Sequence, residues 1–119
     1  MSRSPQWILD RRRNEAIAET VHGLAWCNTF DGVAPDFVND PEQQLALLAW
    51  LCECGWHLDI WMHTVTDEKG RVSLGDVRGH AWQLDERGCD IAVFEFAGAT
   101  MNLALCGAAE WVAVQRAGD

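Results

Sequence analysis

The sequence predicts an α+β domain: two N-terminal helices followed by a five- or six-stranded antiparallel meander sheet packed on the second helix. Three observations predict it. Apolar spacing is helical before Gly55 and alternates after it. Polar or glycine-containing turns recur at short intervals between His57 and Arg116. Residues 45–52 are almost entirely apolar, as a helix buried on most sides requires. With 119 residues, 49% of them hydrophobic, the chain can bury a core as one domain spanning 1–119.

The elements follow in order. Ser4 suits an N-cap and Pro5 the first helical position, opening a helix that runs to about Trp26 with Ile17, Val21 and Leu24 on one face. The Arg11-Arg12-Arg13 run interrupts that stripe. Residues 28–39 read as a loop around Gly32 and Pro35, with Phe30, Val33 and Phe37 as its anchors. Asp40 caps a second helix, Pro41 presets its first turn and Glu42 complements the positive end of its dipole. This helix ends near Gly55. Strands are then predicted at 57–65, 71–74, 80–84, 90–96 and 100–106, with a sixth at 110–115. The turns between them are 67–70, 75–79, 85–88, 97–99 and 107–110. Leu58, Ile60 and Met62 share one face of the first strand, opposite His57, Asp59, Trp61 and His63.

A meander sends alternate turns to the same end of its sheet. Asp67, Glu68, Asp85, Glu86 and Glu110 are therefore expected at one pole. The short link at Gly55 brings the start of the second helix back to that end, adding Asp40 and Glu42, with Asp36 in the loop before them. With Trp61 on an open face, these residues form the expected partner-binding surface, an acidic face that imitates a phosphate backbone or complements a basic groove. The plainer reading is that turns are polar and aspartate suits them.

Charge narrows the partners. The formal net charge is -9. Residues 1–30 hold Arg3, Arg11, Arg12 and Arg13 against Asp10, Glu15 and Glu19, a net of +1, so the remainder carries -10. Such a body repels nucleic acid and anionic membrane and favours a basic protein surface. Residues 45–52 are too short to span a bilayer. The five cysteines are odd in number, and the start of the chain lacks the apolar core of a secretory signal, which points to free thiols in a reducing cytoplasm.

Catalytic and metal motifs are wanting. Cys52, Cys54 and His57 form a Cys-x-Cys-x-x-His string, but cysteines two apart on a helix point away from each other and the paired knuckles of a zinc site are missing. His57 and Asp59 share a strand face, while His57 and His63 stand too far apart for one metal. There is no phosphate-binding glycine loop, nucleophile elbow or metalloprotease helix. No cofactor or metal is expected.

The reading is a non-enzymatic, acidic, cytoplasmic binding protein that occludes a basic, nucleic-acid-binding protein partner. A phage or mobile-element inhibitor, such as an anti-CRISPR, is its concrete form. The alternative is a small-ligand binder or enzyme that uses a Trp- and His-lined concavity of the sheet, with His57, Asp59 or His80 as polar contacts. A homodimer through Trp61 or an edge strand is a third.

Overall fold

The computed structural model describes residues 4–118. Helix α1 (Gln6–His22) and the single turn α2 (Trp26–Thr29) lead into a loop. A 3-10 turn (Pro41–Gln43) runs on into α3 (Gln44–Glu53). Three strands follow, β1 (His57–Thr66), β2 (Val72–Leu84) and β3 (Asp90–Gly98), and then α4 (Met101–Ala117). The sheet is antiparallel in the order β1-β2-β3. The α+β class is as expected from the sequence; the number of strands and the helix that covers them are not.

The N-terminal half follows its local signals closely. Pro5, rather than Ser4, stands at the head of α1, where its carbonyl accepts from the amides of Ile8 and Leu9. Gly23 at φ +84° ends the helix at His22, four residues short of Trp26, a positive-φ conformation that favours glycine. The Asp40 side chain accepts from the Glu42 amide at 3.0 Å, and Pro41 opens the turn behind it. Gly55 at φ +89° closes the link to β1. In the loop, Phe37 is fully buried, whereas Val33 projects into solvent and does not anchor it.

Two predicted boundaries fail for physical reasons. Residues 75–79 are not a turn: β2 runs straight through them. The glycines there serve close approach. A Cβ on Gly79 would lie 2.1 Å from the Phe96 ring, and one on Gly75 would lie 2.9 Å from the His63 carbonyl oxygen. Glycine inside a strand marks such contacts or a bulge. Residues 100–115 are not strands but helix. Thr100 caps α4 by accepting from the Leu103 amide at 3.2 Å. Ala104, Leu105, Ala108, Ala109 and Val112 are buried at a helical spacing, and alanine and leucine are strong helix formers. Gly98 lets this helix close on the sheet, since a Cβ there would meet the Ala104 amide at 2.4 Å.

The sheet therefore packs on α4 rather than on the second helix, while α3 and α1 pack on α4 from its other sides. The core joins Ile17 and Ala18 of α1, Leu47 and Leu51 of α3, Leu105 and Val112 of α4, and Ala81, Phe94 and Phe96 of the sheet. Phe94 stacks on Trp111 at 4.0 Å and meets the edge of Trp56 at 4.9 Å. Two buried asparagines clip the loop to this core. Asn14 bonds Asp36 and the Val38 amide. Asn102 donates to the carbonyls of Phe37 and Asp40 and accepts from Gln44.

β3 pairs with β2 only from Val77 to Leu84. Beyond Val77, β1 and β2 continue as a two-stranded arm ending in the 67–70 turn. The radius of gyration is 16.3 Å, against about 13–14 Å for a compact chain of this length. The projecting arm fits that excess.

Candidate functional site

The two hairpin turns are near-copies. Asp67-Glu68-Lys69-Gly70 and Asp85-Glu86-Arg87-Gly88 each place glycine at positive φ, +78° and +80°. In each, the aspartate carboxylate accepts from the amides two and four residues ahead, at 2.8 and 2.9 Å. The glycine amide bonds the aspartate carbonyl, and the aspartate amide bonds the carbonyl four residues on. This is a type I turn followed by a left-handed glycine, a common hairpin closure. Asp67 and Asp85 are thus consumed in shaping turns.

The expected acidic pole does not form. The 67–70 turn joins β1 to β2 and the 85–88 turn joins β2 to β3, so they lie at opposite ends of β2. Its 13 residues separate Asp67 and Glu68 from Asp85 and Glu86 by about 40 Å at the usual strand rise. Asp36, Asp40 and Glu42 sit in the helical layer. Asp36 and Asp40 accept hydrogen bonds there, from Asn14 and from the Glu42 amide, and Glu42 is exposed. Glu110 is on α4, where Arg13 grips both its oxygens, Nε at 2.9 Å. This pair raises the Arg13 pKa above its ordinary value, chiefly through the hydrogen bond.

Trp61 stands on an open face of the sheet, 48% exposed. This face stays open because α1 packs on α4, which covers the other side of the sheet. The sheet therefore has one covered and one open face. Strand register arranges the open face in three cross-strand rows: His57, Trp82 and Val93; then Asp59, His80 and Glu95; then Trp61, Arg78 and Ala97. Trp82 lies between two imidazoles, stacked with His57 at 5.6 Å and His80 at 5.1 Å. Farther out, Asp76 accepts from Arg78 at 3.1 Å and faces His63 Nδ1 at 3.4 Å. The Arg78 hydrogen bond holds the Asp76 carboxyl below its ordinary range. Among the described residues, Asp59 and Glu95 are in no ion pair. Aromatic faces flanked by two free carboxylates are suited to receive cationic side chains.

The other candidates separate. Among the described residues no three His, Cys, Asp or Glu side chains are grouped to hold a metal, and all five cysteines are free. Cys106 is buried, and desolvation pushes its thiol up to about 11. The larger pockets, up to about 480 Å³, are not lined by His57, Asp59 or His80. One of about 480 Å³ lies between the start of α1 and the loop, at Trp7, Asn14 and Val33, and another of the same size lies on the open face at Trp61, Arg78 and Glu95. Trp50 and Trp56 are buried, Trp26, Trp82 and Trp111 half-buried, and Trp7 and Trp61 exposed.

Trp82, Val93 and Glu95 escaped the sequence reading of the site. Reading 72–84 as one strand would have found Trp82 and His80 on the face of Asp76 and Arg78 by simple alternation. No helix among the described residues is long and apolar enough to cross a membrane. Comparison with protein-family models, curated proteins and solved structures finds no match for the chain.

Proposed function

We propose that this is a protein-binding module that receives a basic segment of a partner protein across the open face of its sheet. The observation that carries the reading is that Trp82 and Val93 on one side and Trp61 on the other flank the cross-strand row of the unpaired Asp59 and Glu95, on the face of the sheet opposite α4. Exposed tryptophan beside free carboxylate is the composition of an anchor for lysine or arginine side chains. The net charge of -9 would steer a basic protein to it and turn nucleic acid away. A nucleic-acid-binding effector is a natural partner of that chemistry, and occlusion of its groove is the proposed consequence. The turn carboxylates contribute through the general field rather than as contacts.

The test is capture from host lysate at low and high salt with wild-type protein and two variants. Trp61→Ala with Asp59→Lys and Glu95→Lys should lose the retained basic protein. Charge reversal at Glu68 and Glu86 alone should reduce retention only modestly, and mainly at low salt. Equal retention by wild type and the open-face variant would reject the reading.

A further inference from the structure

The face of the sheet that packs on α4 does not stop where α4 begins. Met62 pairs with the buried Val77, Thr64 with Leu74, and Thr66 with Val72. Side chains directly opposite one another share a face. The register slips by one residue between Met62 and Thr64, around Gly75 and Asp76 of β2. This bulge sets Leu74 and Val72 on the same side as Val77; without it strict alternation would send them to the other face. Met62, Leu74 and Val77 also wall a cavity of about 210 Å³ together with Ala99, Thr100 and Met101 at the start of α4. An apolar strip therefore continues from the core onto the arm, where Met62, Val72 and Leu74 are 55%, 67% and 69% exposed.

From this strip we infer that two copies of the chain pair through their arms, α4-side faces together, about a two-fold axis near Leu74. Three features select a second copy as the occupant. The arm's two-stranded ribbon has no third strand beyond Val77, and such a ribbon is at best marginally stable alone. A second arm laid on its apolar side would sit in the layer that α4 occupies over the rest of the sheet, at the usual ~10 Å spacing. Charge permits it: residues 62–76 hold Asp67, Glu68 and Asp76 against Lys69 and Arg71, a net of -1, while the whole chain carries -9. The arm is where like chains meet with little repulsion. The area is adequate for a reversible dimer. The strip, the cavity wall and the arm tip laid over the partner's root would cover on the order of 500–700 Å² per chain, at the lower end of stable interfaces. This pairing uses the opposite face from Trp61 and stands or falls separately from the partner-binding reading.

Sedimentation equilibrium over a range of protein concentrations tests it. The mass should rise from 13.3 kDa towards twice that value. Leu74→Glu should hold the chain at the monomer mass with an unchanged circular-dichroism spectrum, because Leu74 is already exposed. An equimolar mixture of Leu74→Glu and Leu74→Lys should recover the dimer, which neither variant forms alone. A wild-type chain that stays monomeric at every concentration would overturn the inference. So would a dimer that survives Leu74→Glu and is lost in Trp61→Ala, or a charge-paired mixture that stays monomeric.

Discussion

Asn102 offers the sharpest test of how this fold holds its loop. The side chain is 4% exposed in the first turn of α4. It donates to the Phe37 carbonyl at 3.0 Å and the Asp40 carbonyl at 2.7 Å, and accepts from Gln44 at 2.8 Å. Asn102→Ala deletes all three bonds, at roughly 1 kcal/mol each. Two effects moderate the sum. The Phe37 carbonyl keeps the Cys106 thiol at 3.4 Å and the Asp40 carbonyl keeps the Gln43 amide at 3.0 Å. Alanine also returns a few tenths of a kcal/mol of helix propensity. A loss of about 2–3 kcal/mol is expected, read as a lower urea midpoint at unchanged slope. Asn39→Ala is the control, since its side-chain bonds are long, 3.4 Å, and exposed; it should cost under about 0.5 kcal/mol. Asn102→Asp keeps the shape but turns an acceptor towards two carbonyls. Its buried carboxyl would have a folded pKa above the unfolded value of about 3.9. The folded state then binds more protons, so the stability of this variant should fall as pH rises through and above 4. A loss below 0.5 kcal/mol for Asn102→Ala would refute the view that this residue clips the loop.

Further outcomes are expected. With its thiol raised to about 11 by burial, Cys106 should react with a thiol reagent only on unfolding, while exposed Cys27, Cys52 and Cys89 react at once; the folded chain retains that proton longer than the unfolded one, so stability should decline as pH climbs from about 9 towards 11. Three fast thiols with Cys106 the slowest in a kinetic titration would bear this out, and five equal rates would not. A double-mutant cycle on Arg13 and Glu110, which join α1 to α4 in a two-pronged pair, should give a coupling of about 1 kcal/mol that shrinks with salt. Asp67→Ala and Asp85→Ala should each cost about 1 kcal/mol through two lost amide bonds, with Glu68→Ala and Glu86→Ala near zero, as measured by thermal unfolding.

Local signals were legible wherever a side chain answers to its own neighbours. Asp40-Pro41-Glu42 announces a helix start because the cap is a contact between residues two apart. Gly55 and Gly70 announce chain reversals because their positive φ is a local property. Gly79 and Gly98 carry the same letter for a different reason: each leaves room for something distant in sequence, the Phe96 ring in one case and the α4 backbone in the other. Nothing within a few residues distinguishes these two uses. The 100–115 segment misleads because its small apolar residues and Gly107 mimic strand and turn, although Ala104, Leu105, Ala108, Ala109 and Val112 already have a helical period. Asn102 and Asn14 were invisible as core residues, since their burial is made tolerable only by carbonyls and amides that the loop brings to them.

One of those misreadings moved the whole candidate site. In a meander, the end of the sheet at which a turn lies is fixed by the parity of the strands before it. Counting 71–74 and 80–84 as two strands inserts one reversal between the two Asp-Glu-basic-Gly turns and places them together. Reading them as the single strand β2 removes that reversal and sends the turns to opposite ends. The same correction that disperses the turn carboxylates aligns Asp76, Arg78, His80 and Trp82 along one face of one strand. Side chains at every second position of a continuous strand keep a fixed spacing of about 7 Å, whereas carboxylates at separate turns depend on every intervening reversal. The proposed recognition surface, built on β2 and its two neighbours, therefore has its spacing set by strand register, and Trp61, Asp59 and Glu95 take their positions from that register.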